Sequence, residues 1–334
     1  MQTETRTTLR SAVVPFEKPS LGLGLLQLVT SVGLYLATIA AMYWSLGISY
    51  WLTLGLAFPA AGFLVRTFIV QHDCGHGSFF KSPLANNVIG AFCGVLTLAP
   101  YWSWRRQHAQ HHANWNNLDR RESGADIYST CLTVEEYKAY TPWQRLLYRL
   151  PRHPALAHII FPPLIFVLLY RFPFDMPKSW TAERRSVSLT NLAIVAWMVG
   201  LGFLMGFPAL LLVHVPVIAI TTISGVWLFS VQHRFDTAHW LRGPDWTFHD
   251  ASLKGTSYLK LPKLLQWLTG NIGFHHIHHL APRVPNYRLE ACYASDPCLR
   301  VGTPQTLRSG LGATRLTLWD ETRKRLVPFS EARS

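Results

Sequence analysis

The sequence predicts an all-α integral membrane protein, built from two transmembrane hairpins (four spans) with re-entrant or interfacial helices and a cytoplasmic domain rich in histidine. Three observations carry this expectation. Of the 334 residues, 49% are hydrophobic and only 15% charged, where soluble domains average about 25% charged. Four apolar stretches approach the roughly 20 residues that a helix needs to cross a bilayer. Nine of the fifteen histidines fall in three short runs, HDCGH at 72–76, HAQHH at 108–112 and HHIHH at 275–279, a clustering that random placement does not produce.

The first expected span is 23–44. The uncharged link SLGIS at 45–49 leads into the second, 50–70, whose one charge, Arg66, lies near its end where a long side chain reaches the interface. The turn of this hairpin has no Lys or Arg, whereas Lys18 precedes it and Lys81 follows it. The positive-inside rule then puts the turn outside and both ends in the cytoplasm. Residues 84–100 are apolar but short, interrupted by Asn86, Asn87, Gly90 and Gly94, and flanked by Lys81 and by Arg105 and Arg106. They are expected to dip into the membrane and return, or to lie along it. The basic stretch 113–152 reads as cytoplasmic. Residues 154–170 carry Pro162 and Pro163 in mid-run, with Arg152 and Arg171 at the flanks, and are also expected to be re-entrant or interfacial. The second hairpin comprises 187–206 and 208–231, and its even number of crossings returns the third histidine run to the face that holds the first two. Residues 1–20 and 296–334 are expected to be cytoplasmic tails of a single domain, 1–334.

Thirty-one Lys and Arg against eighteen acids leave a net charge of +13. In a membrane protein that excess suits a cytoplasmic face beside anionic headgroups, with no nucleic acid required. The five cysteines form no CxxC pair, which favours a reducing compartment, and the first twenty residues show no signal peptide. The expected location is therefore a bacterial inner membrane.

Histidine spacing points to metal. His72 and His76 are four apart; His108, His111 and His112 are spaced three and one, as are His275, His278 and His279. On a helix such separations of three and four place imidazoles on one face. Eight nitrogens exceed the four that close a zinc shell and divide more naturally between two metals, with iron, zinc, copper and nickel all compatible. His233, at the end of the last span, is either a ninth ligand or a headgroup anchor. His276 is out of register, His214 lies inside a span, and with His153, His158, His239 and His249 they are expected to be structural or exposed. Asp73, Asp119, Glu122, Asp126, Asp236, Asp245 and Asp250 are placed to orient imidazoles or simply to be solvated. Trp102, Trp104 and Trp227 suit either an apolar substrate tunnel or the membrane interface. HExxH, GxSxG and glycine-rich phosphate loops are absent, as are the paired Glu-x-x-His motifs of soluble di-iron bundles, so hydrolase and nucleotide-binding readings have no support.

HDCGHGSFF at 72–80, HAQHH at 108–112 and GFHHIHHLAPRVPNY at 273–287, joined to two span hairpins, resemble the membrane-bound acyl-lipid fatty acid desaturases. NLDRR at 117–121, LTVEEY at 132–137 and LYRLPRHP at 147–154 look like bacterial Δ5 members, while the first box is also similar to Δ12 and ω3 enzymes. The resemblance covers about residues 20–295. It implies a di-iron centre, with two Fe ions held by His72, His76, His108, His111, His112, His275, His278 and His279, and the family's additional ligand falling on His233. It further implies O2 as co-substrate, a cis double bond formed in a lipid acyl chain, and electrons from a separate ferredoxin or cytochrome b5-like donor. The third box begins with His275 where front-end desaturases have glutamine, and no fused haem domain with HPGG is present. Competing readings are a related hydroxylase or ketolase of an alkane, sterol or carotenoid and, more remotely, a membrane metal transporter or receptor.

Overall fold

A computed structural model describes residues 2–121 and 130–333. Its frame is four long apolar helices, Leu21–Ser45, Tyr50–His76, Thr181–Met205 and Phe207–His233, each long and apolar enough to cross a membrane. Ser20 caps the first, its hydroxyl accepting from the Leu23 N–H, and a π turn at Val29–Gly33 interrupts it. The Ser45 and Thr53 hydroxyls, 2.7 Å apart, close the turn to the second helix. That second helix is the most enclosed of the four. Its Ala57, Ala60, Ala61 and Leu64 meet Val32, Tyr35, Ile39 and Met42 of the first and Val213 and Val217 of the fourth. The third is the most exposed, showing Leu189, Leu192, Val195 and Phe203 on its surface, as a helix facing lipid should.

The second helix runs past its expected end. Its 27 residues span about 40 Å at 1.5 Å each, beyond the roughly 30 Å of hydrocarbon. The first histidine run therefore occupies the last turns of the same unbroken helix instead of a separate segment. A Schellman cap stops it there. Gly77 takes φ +67°, its N–H donates to the Cys74 carbonyl, and the Ser78 N–H donates to the Asp73 carbonyl. Arg66, expected at the interface, is buried: it donates to the Trp267 carbonyl and stacks over the Trp267 ring.

Pro83–Leu96 is a helix of only 14 residues, bent by 103° from the following helix Tyr101–Asn114. The bend is tied to the second long helix. The Thr97 hydroxyl donates to Gln71 Oε1 at 2.6 Å, Gln71 Nε2 donates to the Ala99 carbonyl at 3.1 Å, and the Tyr101 hydroxyl donates to the Cys74 carbonyl at 2.9 Å. These bonds bring the second histidine run across the end of the first. The 154–170 stretch forms a π turn, Leu156–Ile160, and a short helix, Phe161–Val167, with a 47° bend to the segment before it. Gly206, at φ +88°, is the single-residue turn between the third and fourth helices, and Pro208 occupies the first turn of the fourth.

One expectation is corrected. The fold is mainly helical but not all-α: five short strands are present among the described residues. Leu132–Thr133 (β1) and Leu318–Asp320 (β4) are parallel, Arg325–Val327 (β5) runs antiparallel to β4, and Ser257–Leu259 (β2) and Thr303–Gln305 (β3) are parallel. Strands of two or three residues are too short to show the alternation that marks a strand in sequence. The terminal segments pack against the body of the protein. Leu9 and Val13, one helical turn apart, are buried with Phe274, Ile277, Leu289 and Leu299.

Gly77 has open space where a Cβ would stand, so Gly77→Ala isolates the backbone effect of its left-handed conformation. The expected outcome is a loss of about 1 kcal/mol of stability, read as a lower midpoint of thermal unfolding in detergent.

Candidate metal centre

The chamber lies where the second and fourth long helices end. The last turns of the second supply His72 and His76, and the last residue of the fourth is His233. The Tyr101–Asn114 helix presents His108, His111 and His112 across them. His275, His278 and His279 come from the six-residue helix His275–Leu280. This short helix is pinned from behind: the Leu259 N–H donates to the Gly273 carbonyl at 2.8 Å, and Gln232 Nε2 of the fourth helix donates to the Ile272 carbonyl at 3.0 Å. Ile277 and His276 face outward, the former into the apolar cluster under the N-terminal helix, the latter donating from Nε2 to the Leu299 carbonyl at 2.9 Å. Burial pushes the His276 pKa down to about 4, in keeping with a structural role.

Eight of the nine box histidines, all but His276, meet there with His233 in two sets. In one, a ring nitrogen from each of His72, His76, His108, His112 and His278 lies within 4.8 Å of the others. In the second, His111, His233 and His279 do the same, and His275 Nε2 stands 3.1 Å from His233 Nε2. The stacked rings of His112 and His279, one from each set, are 4.1 Å apart and hold the sets side by side.

Nitrogen spacing argues for cations. His112 Nε2 is 3.1 Å from both His108 Nε2 and His278 Nε2. His233 Nε2 faces His111, His275 and His279 at 3.0, 3.1 and 3.1 Å. The His233 Nδ1–H donates to the Phe229 carbonyl, so in the neutral ring Nε2 presents a lone pair, and one proton bridges only one nitrogen pair at a time. A positive ion relieves all the contacts together. For metal–nitrogen bonds of about 2.1 Å, neighbouring ligands stand about 3.0 Å apart in an octahedral shell and about 3.4 Å apart in a tetrahedral one. The observed separations match the former. His76 Nε2 is buried without a hydrogen-bond partner, as fits a ring nitrogen kept for a metal.

The surroundings keep these rings neutral. Burial, then the neighbouring imidazoles, drive the pKa values of His275, His278 and His279 far below the usual histidine range. Around the sets, Trp104 stacks on His108 at 4.5 Å and packs on His72, and Trp115 lies 4.3 Å from His233. Trp104 thus shapes the chamber wall, while Trp102 is exposed beside Arg105.

Of the seven acids considered, Asp73 alone among the described ones touches a box histidine. Its Oδ1 is 2.9 Å from His72 Nδ1, and its Oδ2 accepts from the backbone N–H and Nδ2 of Asn286 at 2.6 and 2.7 Å. Gln27 Nε2 in turn donates to Asn286 Oδ1 at 2.8 Å. Asp119 pairs with Arg242 and Asp250 with Lys254 at the surface, Asp236 and Asp245 are exposed, and Glu122 and Asp126 lie outside the described residues. Sequence reasoning did not single out Gln27, Asn286 or Trp115. A lone amide or indole carries no spacing signal, and only the fold shows which ones reach the chamber.

Two large histidine sets at one end of long apolar helices define the class of histidine-box membrane proteins. The family model for fatty acid desaturases matches residues 25–305, so the chain belongs to the fatty acid desaturase family. A fatty acid desaturase of Bacillus subtilis (strain 168) is 43% identical, over 96% of this chain and 90% of its own length. An sn-1 acyl-lipid omega-3 desaturase (ferredoxin) of Synechocystis is 30% identical over 84% of this chain and 76% of its own length. An endoplasmic reticulum acyl-lipid omega-3 desaturase (cytochrome b5) of Arabidopsis thaliana is 32% identical over 75% of this chain, which covers 64% of that protein. The protein is accordingly a desaturase, an oxidoreductase acting on fatty acyl chains.

Asp73→Asn keeps the size of the side chain but removes the charge beside His72, and metal affinity is expected to fall by about 10- to 100-fold in a competition titration with a chelator. A pH dependence follows from the depressed histidines. A chain whose chamber has opened takes up protons on these rings below about pH 6.5, the value of a free imidazole, whereas the closed chamber does not. Acid therefore favours the open, metal-free form, and metal release measured by equilibrium dialysis is expected to rise as pH falls through that value.

Proposed function

We propose that the two histidine sets hold two iron ions, His72, His76, His108, His112 and His278 around one and His111, His233, His275 and His279 around the other, and that the enzyme uses them to place a cis double bond in the acyl chain of a membrane lipid. The observation that carries this reading is the 3.0–3.1 Å spacing of the ring nitrogens, the edge of a six-coordinate shell of about 2.1 Å bonds. When bound, the iron pair would supply the O2-dependent oxidation that takes two hydrogens from an unactivated chain; those two hydrogens, one O2, two electrons and two protons balance as two waters.

The protein's own contribution is positional. Asp73, clamped by Asn286, fixes the ring of His72; the Phe229 carbonyl fixes that of His233; Trp104 and Trp115 pack against the rings and limit water beside them. The two electrons come from a separate protein, of ferredoxin or cytochrome b5 type as in the names of the two omega-3 relatives. A net charge of +13 favours an acidic donor. Loop charges support a bacterial inner membrane with both termini and the histidine chamber on the cytoplasmic side, and with 84–100 and 154–170 not crossing.

Expression in a bacterial host, followed by gas chromatography with mass spectrometry of total fatty acids, is expected to show a new cis-unsaturated chain that His111→Ala abolishes. Purified protein is expected to carry two irons per chain, falling toward one in His233→Ala. A hydroxylated or keto product, or a full complement of zinc supporting equal turnover, would overturn the proposal.

A further inference from the structure

A cavity of about 550 Å³ lies between the fourth long helix, the π turn Leu156–Ile160 and the helix Leu307–Ala313, and none of the nine chamber histidines lines it. Its walls are mostly apolar, Ile223, Leu228 and Leu261 among them, and its rim carries the exposed Ile159, Leu265 and Leu311. A rim of that chemistry opens to lipid more readily than to water, and the volume is in the range of small-molecule sites.

Besides the hydroxyls of Ser224, Thr269 and Thr314, two polar side chains break this lining. His158 is 6% exposed, and neither of its ring nitrogens has a hydrogen-bond partner; Nε1 of Trp227 is buried and unpartnered as well. Donors left unmade in an apolar interior are unfavourable and uncommon, so a pair of them lining one cavity calls for an acceptor delivered by a ligand. His158 sits within the π turn just ahead of Pro162 and Pro163, a widened helical geometry that recurs at functional sites. Trp227 precedes His233 by six residues on the same helix, an axial separation of about 9 Å.

We propose that this cavity receives the ester end of a membrane glycerolipid acyl chain, with the N–H groups of His158 and Trp227 donating to the ester carbonyl, and that this contact sets which carbons of the chain reach the metal chamber. The ester carbonyl is the acceptor that each such chain carries next to its apolar length, which matches two donors set in apolar walls with a lipid-facing mouth. A carbonyl held beside Trp227 leaves several methylenes to cover the distance to His233. The inference rests on the desaturase assignment and adds to it the residues that fix the register of the substrate.

The test compares, in vesicles containing the iron-loaded enzyme and its reductant, phospholipids with the same saturated chain attached by an ester or by an ether, which lacks the carbonyl. Double-bond positions are read by mass spectrometry after derivatisation. With the ester lipid one position is expected to dominate; with the ether lipid, which forfeits both hydrogen bonds, the minor positional isomers are expected to rise tenfold or more, tenfold being about 1.4 kcal/mol. Trp227→Phe combined with His158→Leu is expected to erase the difference between the lipids at unchanged iron content. Equal positional purity for the two lipids with the wild-type enzyme overturns the proposal, and that comparison decides alone if the double variant loses iron. An absence of unsaturated product from both lipids instead overturns the desaturase assignment, and the proposal falls with it.

Discussion

Crowded lone pairs are the constraint on which the rest of the molecule depends. Nine imidazoles, brought together in a water-poor interior, must aim their nitrogens at shared points; His233 Nε2 alone faces three others at 3.0–3.1 Å. Left to itself the chain would swing such rings outward to solvent. What prevents this is the rigidity of the elements that carry them: the capped end of Tyr50–His76, the bent helix tied to Gln71 and Cys74, and the short helix His275–Leu280 fixed by Gln232. Much of the polar bonding around the chamber serves to hold those three elements in register.

The membrane solves a related problem from the other side. Backbone amides in hydrocarbon must be satisfied within their own segment, so the long helices are the only elements that can carry ligands from the bilayer to its edge without a break. The second helix extends one box past the hydrocarbon, and the fourth ends on a single histidine. An acyl chain can stay in lipid while the histidine sets stand at the far end of the helices, where an electron donor can approach. The apolar cavity beside Trp227 extends this logic to the polar end of the substrate.

Much of this was legible in the sequence because both signals are strong and local. Apolar length revealed all four long helices to within a few residues at most ends, and the three- and four-residue spacings of the boxes revealed which rings share a face. Other features were not legible. Strands of two or three residues have no period; Arg66 reads as an interfacial charge until Trp267 is seen to receive it; and Asn286, more than 200 residues from Asp73, has no signature that couples the two. His233 was ambiguous in the sequence because a single histidine at a helix end is consistent with several roles, and only the fold shows that it contacts His111, His275 and His279. Among the acids, proximity in sequence misled for Asp119, which serves Arg242 instead.

The small parallel pairings have a consequence for how the protein comes to exist. β1 at Leu132–Thr133 pairs with β4 at Leu318–Asp320, and β2 at Ser257–Leu259 with β3 at Thr303–Gln305, so segments following the first two boxes and preceding the third both find partners near the C-terminus. During synthesis the four helices can enter the bilayer one hairpin at a time, but these pairings form only when the final residues have left the ribosome. A nascent chain therefore passes through a stage with its helices inserted and its histidines not yet gathered. Maturation is for this reason a step of the finished polypeptide, and a chain shortened at its C-terminus just before residue 318 would reach the membrane with β2 and β3 able to pair yet lack the β1–β4 brace.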